Sequence, residues 1–529
     1  MRTEDHVGLG LSYSGFGGPS ASTSAGSPRS PRSPSSPKSP RGSSPGEGRR
    51  KRRLEKPSTS SSPPSSGKRP SIWLCLLILA LSAGVKYIHH KDPARFYRFA
   101  HLVGLRERFR YPLLWMAPVL SGGGYCSEAL TFLEALNASM RVNELRISHH
   151  GDTESFEFWK GLPPATRKTL LHLLSGEPKL KDSVIVCHSE PDAWYPPLFQ
   201  TAPCPPTGYT APKYVIGRTI LETVNITPTH VERCNKMDEI WVPTQFHVER
   251  FQQAGVKPAK IVKVVQVVDT YFFDPAKTMP SEFPAESKIR VFHPYIEVQH
   301  STRPYVFLSV FKWENTKGWD VLLSAFLQEF TADDNVMLYI VTNPKFHSTG
   351  EFLLVLREFM LSLHLHEPNS GWGEVHVIDK EVPQALLPGL YKAADCFVLP
   401  SRGEGWGRPI VEAMAMELPV IATHWSGSTD YMTEFNSYPL EKSDMSEILI
   451  DGAPSGHYWA DPAQSRLMKL MRRVVANPRE AKYKGKRARQ DMVAKYSPEI
   501  AAKQVLAQLF RIQKKLDLRH TSGRSKSKS

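Results

Sequence analysis

The sequence predicts an α/β protein with two Rossmann-like halves facing a cleft, preceded by a disordered tail and a single transmembrane helix. Three observations carry this. The chain has 529 residues, more than one hydrophobic core usually holds. From Tyr111 onward, short apolar runs alternate with helical stretches, the pattern of parallel strands joined by crossover helices. A strand, a glycine-rich turn and a helix follow one another early in the first half and again in the second.

Composition narrows the function classes. Apolar residues make up 40% and charged residues 22%, which is ordinary for a folded chain, and six cysteines exclude a small disulfide scaffold. The net charge of +15 suggests a polyanionic partner until it is partitioned. Residues 1–71 hold 13 basic and 4 acidic side chains, residues 511–529 hold 7 and 1, and the body between has 47 of each. The body is neutral, so a nucleic-acid groove in the folded part is not implied. The basic tails lack interleaved aromatic residues, which speaks against RNA binding there as well.

Taken in order, residues 1–70 read as a disordered basic tail, because 20 Ser and 11 Pro with almost no large apolar residues (counted through Ser71) cannot bury enough surface to offset ordering entropy. Ser27, Ser30, Ser33, Ser36 and Ser39 each precede a proline at three-residue spacing, and Ser44 and Ser62 repeat the pair. These are expected sites for proline-directed kinases on a solvated tail. Residues 72–85 form a charge-free run, and residues 71–88, with Lys86 snorkelling, are expected to be a single-pass anchor. The basic flanks are nearly balanced, so charge alone leaves orientation open. A cytosolic tail accessible to kinases puts the body in the lumen, a type II arrangement expected in the Golgi membrane, with endoplasmic reticulum or cytosol-facing placement as alternatives. The sequons at Asn137 and Asn225 are compatible with a luminal body. A stem is expected over 89–110.

The first half, 111–297, opens with a strand candidate Leu113–Leu120, the glycines Gly122, Gly123 and Gly124, and a helix from Ser127 to Leu136. Further strands are expected at Ser183–Cys187, Glu239–Val242 and Val262–Val267. The second half, 298–497, has strand candidates Val306–Val310, Val336–Val341, Glu374–Ile378, Cys396–Leu399 and Pro419–Ala422, with helices over Trp319–Glu329 and Gln384–Ala394. An amphipathic helix is expected over 498–513, from Ile500, Val505, Leu506, Leu509, Phe510 and Ile512, followed by a disordered basic tail over 514–529.

The segment from Leu399 to Ala422 is richest in chemistry. A strand ends at Leu399, Gly403, Gly405 and Gly407 form a turn, and Pro409 suits the first turn of a helix. Backbone N–H groups at such a helix start can cradle an anion. Glu404 lies in the turn and Glu412 one turn into the helix, positions from which carboxylates accept hydrogen bonds from sugar or ribose hydroxyls.

This segment resembles the E-x7-E signature of the retaining GT-B glycosyltransferases of family four (glycosyltransferase group 1), and the resemblance extends over roughly Tyr111 to Gln513. It implies a metal-independent hexosyltransferase with no cofactor beyond a nucleotide-sugar donor, acting on a hydroxyl of a glycan, lipid or protein-linked acceptor. By resemblance Glu412 binds the ribose, while Glu404 with Gly405 and Gly407 holds the donor hexose and its phosphate. Lys312 and Lys317 match the family's basic pair on the pyrophosphate. Lysine stands where arginine is usual, which replaces a bidentate fork by a point charge. Gly123 and Gly124 match the family's N-terminal glycine loop, and Ile378 falls where the nucleotide base packs against backbone. His188 matches the family's histidine at a strand end near the reacting sugar, with Glu190 as the alternative. His149, His150 and Asp152 are further polar groups on a loop near the cleft. The resemblance also implies that the leaving phosphate assists deprotonation of the acceptor, and that the C-terminal helix crosses back to the first half. The competing expectation is a non-catalytic, membrane-tethered GT-B-like protein that gathers partners through its Ser-Pro tail.

Overall fold

The computed structural model describes residues 107–176, 179–283, 288–290, 300–342, 349–380, 382–448 and 457–526, all within the compact unit Gly84–Ser529. The tail at 1–70, the anchor at 71–88 and residues 89–106 of the stem lie outside the described residues. Among the described residues no helix is long and apolar enough to cross a membrane.

The first half is a six-stranded parallel sheet in the order β2-β1-β3-β4-β5-β6. Its strands are β1 (Leu113–Ala117), β2 (Leu145–His149), β3 (Val184–His188), β4 (Tyr214–Arg218), β5 (Glu239–Val242) and β6 (Ile261–Lys263). β1, β3, β4 and β5 are buried along their whole length. That is the pattern of a parallel sheet covered on both faces, and it explains their near-continuous apolar runs. Helix α1 (Gly124–Ser139) follows the glycine loop, and Leu133 and Leu136 place it in the core with Trp115 and Val186.

The second sheet has seven strands in the order β13-β12-β11-β8-β9-β10-β7. In chain order these are β7 (Lys288–Arg290), β8 (Tyr305–Val310), β9 (Val336–Val341), β10 (Glu374–Ile378), β11 (Cys396–Leu399), β12 (Val420–Thr423) and β13 (Tyr438–Leu440). All pair in parallel except β7, which runs antiparallel on the edge beside β10. β7 lies before residue 298, so the second half begins earlier than the sequence places it. A three-residue edge strand in a charged, proline-flanked stretch has no periodicity to reveal it.

The chain closes with helix α2 (Pro498–Lys526). Ala501, Val505, Leu506, Leu509, Ile512 and Leu516 recur at helical spacing and are buried in the first half's core with Phe109 and Leu113, so the helix returns to the first half. It runs beyond Gln513, where a disordered tail was expected. Leu516 continues the apolar stripe, and Asp517 is held by Tyr111 Oη at 2.9 Å and Arg110 at 2.5 Å. High basic content describes the outer face of this helix and does not prevent the inner face from packing. Arg511 forks onto the buried Glu239 at 2.8 and 2.6 Å. Losing these charge-assisted bonds in Arg511→Ala is expected to lower unfolding stability by about 1.5–3 kcal/mol, read from the urea midpoint at constant slope.

Candidate active site

Both sheets change winding direction at one point. β1 lies between β2 and β3, and β8 lies between β11 and β9. Ligands of open α/β sheets bind at the carboxyl ends of the strands at such points. The loop after β1 carries Gly123 and Gly124, the loop after β3 carries Glu190, the loop after β8 carries Lys312 and Lys317, and the turn after β11 carries Glu404, Gly405 and Gly407.

Helix α3 (Arg408–Ala415) starts from Gly407, whose φ of +80° favours glycine, with Pro409 in its first turn. A Cβ on Gly405 would lie 2.9 Å from the side chain of Ile220, and one on Gly403 would lie 2.2 Å from the carbonyl oxygen of Glu222. The glycines therefore let this turn press against residues 220–222 of the first half. Arg402, which sequence inspection passed over, ties the turn to the β8 loop. Its guanidinium forks onto Asp320 at 2.8 and 2.7 Å and donates to Asn315 O at 2.7 Å.

Lys317 Nζ lies 3.1 Å from Glu404 Oε1 and 3.9 Å from Glu222 Oε1. Burial alone would lower the lysine's pKa, but Glu404 and then Glu222 raise it above its ordinary value, so it stays a cation. Burial pushes Glu404 upward, Lys317 opposes this, and Glu222 adds to it. The Glu404 backbone is pinned by Ser426, whose Oγ accepts from Glu404 N at 2.9 Å and donates to Glu404 O at 3.0 Å. Glu412, also buried, accepts from Tyr391 Oη at 3.1 Å and Arg408 at 3.0 Å, and burial raises its carboxyl against both.

Four of the sequence-derived residues stand apart from this group. Lys312 is exposed and has no ion pair to a described residue. The Ile378 side chain is fully buried in the second core and its carbonyl accepts from Thr342 N at 2.9 Å, so its side chain is not available to a base. Gly124 faces open space, as close approach of a ligand requires, whereas Gly123 is the N-cap of α1, its N–H on Ser121 Oγ at 3.2 Å.

His188 is the principal correction. Its side chain is fully buried and both ring nitrogens are engaged. Trp115 Nε1 donates to Nδ1 at 3.1 Å, so the ring proton sits on Nε2, which donates to Glu128 Oε2 at 2.9 Å. The imidazole is neutral, and burial, partly opposed by Glu128, lowers its pKa. Glu128 also takes Arg218, by Nε at 3.1 Å and by a second, shorter bond from Nη2, while Arg218 Nη1 donates to Val264 O at 2.6 Å. This network ties β1, α1, β3 and β4 behind the cleft and leaves His188 no free nitrogen for a substrate. Glu128 had one visible signal: it sits three residues after Tyr125 and four before Phe132, on the buried face of α1.

Glu190 faces the other way. It is exposed to solvent, and its Oε1 accepts from Tyr125 Oη at 2.9 Å. The loop that follows is fastened by a Cys187–Cys204 disulfide that cysteine counting did not reveal, and by His150, whose Nδ1 meets Ala202 O at 2.6 Å and Nε2 meets Ser189 Oγ at 2.8 Å. His149 is engaged too, its Nε2 2.8 Å from Asp152 O. These two histidines hold loops. Among the described residues no group of three or more His, Cys, Asp or Glu side chains is arranged to hold a metal ion.

Two parallel sheets meeting at their switch points, with a glycine turn and a buried Lys–Glu pair between them, define a GT-B architecture. The solved glycosyltransferase of Rickettsia africae shares it, with a TM-score of 0.51 at 16% identity over 77% of this chain and 99% of that one. So does HepE of Anabaena, solved in complex with UDP, with a TM-score of 0.50 at 13% identity over 76% of this chain and 100% of that one. Residues 303–449, which hold Lys317, Glu404 and Glu412, match the family of glycosyl transferases group 1. A curated relative, the mannosylfructose-phosphate synthase of Agrobacterium fabrum, is 30% identical over 124 residues, 23% of this chain. The match spans about a quarter of that relative, 26% of its length.

Proposed function

We propose that this protein is a glycosyltransferase that moves a hexose from a nucleotide sugar to a hydroxyl of a glycan, lipid or protein-linked acceptor, with retention at the anomeric carbon and without a metal ion. The observation that carries it is the Lys317–Glu404 pair, buried where the two switch points meet, inside the segment that matches the group 1 family. Lys317 and the amides at the start of α3 stand ready for the charge that develops on a departing diphosphate. Glu404 and Glu412 supply acceptors for sugar and ribose hydroxyls. The neighbour solved with UDP supports a nucleotide donor.

The site is proposed to lie in the Golgi lumen behind a single N-terminal anchor. The Cys187–Cys204 disulfide favours an oxidising compartment, and Asn137 and Asn225 are both exposed. Treating the protein from secretory membranes with an endoglycosidase is expected to increase its mobility; unchanged mobility argues for a cytosol-facing body.

The activity test is a screen of UDP-glucose, UDP-N-acetylglucosamine and GDP-mannose against the full chain in detergent. One of them is expected to raise unfolding stability by about 2.7 kcal/mol at a hundredfold excess over its Kd. NMR of the transferred sugar then reads the anomeric configuration, and turnover is expected to persist in EDTA. If no nucleotide sugar stabilises the protein or is turned over, the proposal fails.

A further inference from the structure

We propose that Glu222 is the anion that sits beside Lys317 while the site is empty and that returns to drive the nucleoside diphosphate off it after transfer. The inference rests on the glycosyltransferase function proposed above, in which Lys317 takes the diphosphate. It begins with the loop that carries Glu222.

Residues 219–224 follow β4 and run from the first half against the second, with their backbone gripped from both sides. On the first half, Ile220 N donates to Tyr125 Oη at 3.2 Å, and the buried His247 donates from Nε2 to Leu221 O at 2.9 Å. On the second half, Val224 N donates to Tyr458 O at 3.1 Å, and Gly403 and Gly405 leave room for Glu222 O and Ile220. The Glu222 side chain is the loose part. It is 43% exposed and makes no hydrogen bond among the described residues, and Lys317 Nζ stands 3.9 Å away, outside hydrogen-bond reach. Glu404 meets the same ammonium at 3.1 Å and has its backbone pinned by Ser426.

Two carboxylates therefore share one cation. Against the burial that would lower it, Glu404 and then Glu222 keep the lysine charged. Burial pushes the Glu404 carboxyl up, Lys317 opposes this, and Glu222 adds to it as a like charge. An arriving diphosphate brings more negative charge to the same ammonium, so one carboxylate must give way. Glu404 is fixed at both its side chain and its backbone. Glu222 is the one that swings out, by rotation about its own side-chain bonds with the gripped backbone unmoved. The charge of the ligand then changes during the reaction. In the nucleotide sugar the β-phosphate is esterified to the sugar. Transfer breaks the bond between the anomeric carbon and the phosphate oxygen, and that oxygen keeps the electron pair. Once the proton it accepts from the acceptor is lost to solvent, the diphosphate carries one more negative charge than the donor did. Glu222 thus repels the product more strongly than the donor, and its return beside Lys317 speeds release.

The test measures binding to the full chain in detergent by titration calorimetry, with UDP and GDP as probes and uridine and guanosine as their uncharged counterparts. A wild type that binds neither diphosphate counts against the glycosyltransferase function itself. For the diphosphate that binds, Glu222→Gln, which keeps the shape and removes the charge, is expected to lower Kd about three- to tenfold at neutral pH and physiological salt. Whichever of UDP-glucose, UDP-N-acetylglucosamine or GDP-mannose the wild type binds, with one charge fewer, is expected to gain less. The nucleoside should change by less than about twofold, since it carries no charge for Glu222 to repel. Glu222→Asp keeps the charge and should gain less than Glu222→Gln. A gain in affinity is a result that damage to the fold does not mimic, because damage weakens binding. Diphosphate binding that is unchanged or weaker in Glu222→Gln, an equal gain for the nucleoside or the nucleotide sugar, or a gain in Glu222→Asp as large as in Glu222→Gln would each overturn the assignment.

Discussion

Lys317→Ala is expected to lower transfer by about 10²–10³-fold, the scale for removing one preorganised group that stabilises developing charge. The reason is the geometry of its confinement. A surface lysine near a phosphate is screened by water and contributes little. Lys317 has 12% of its side chain exposed and is held 3.1 Å from Glu404 before any donor arrives. Its charge therefore needs no reorganisation when negative charge builds on the diphosphate. The change also leaves Glu404, whose side chain is 8% exposed, and the neighbouring Glu222 without their cation, so part of the loss appears as weaker donor binding. Single-turnover rates at saturating donor separate the two contributions. A rate within about threefold of wild type would remove Lys317 from the machinery. Lys312, exposed and outside the group, is expected to change the rate by less than tenfold on the same substitution.

The second large effect is on stability. Glu128→Gln is expected to cost about 3–5 kcal/mol, because it removes the counter-charge of a fully buried guanidinium. The sign of the accompanying pH dependence follows from the native environment. Burial by itself would raise the Glu128 carboxyl, but Arg218 and then the bond to His188 outweigh it and bring the pKa from 4.5 to about 2. A carboxyl depressed in the folded state adds stability above its unfolded pKa of 4.5 and loses it as pH falls from there toward about 2. Denaturation at pH 5 and pH 3 checks this: wild type should lose more stability between the two than Glu128→Gln does. Equal losses would show that Glu128 does not carry the charge assigned to it. The effect reaches the candidate site, because His188 fixes the end of β3, where the loop carrying Glu190 begins.

Much of the second half is legible without coordinates. All five of its expected strands match the observed ends to within one residue, and three of the five match at both ends, because buried parallel strands are continuous apolar runs bounded by turns. In the first half the strands that escape notice are β2 and β4. β2 carries Arg146, Ser148 and His149, and β4 ends in Gly217 and Arg218, so neither presents an unbroken apolar run. The second half's site residues are legible for the same local reason. Lys317, Glu404 and Gly407 sit on the turns between a strand and the next helix, with Glu412 one turn into that helix, and sequence neighbours there remain neighbours in space.

The acceptor side is different. At the end of β3, His188 and Glu190 are two residues apart and chemically equal candidates. The choice between them depends on Glu128 sixty residues earlier and Arg218 thirty residues later, which no local pattern connects to the strand. The disulfide from Cys187 to Cys204 and the fork of Arg511 on Glu239 are equally non-local. By itself, then, the sequence determined the two α/β halves and the strand–glycine–helix turns on which Lys317 and Glu404 sit, because backbone sterics and hydrophobic periodicity act over a few residues. The tertiary structure alone decided which polar group at the strand end is spent internally and which faces the cleft. It also decided how far the last helix runs, because burial and the pairing of buried charge depend on contacts between segments hundreds of residues apart.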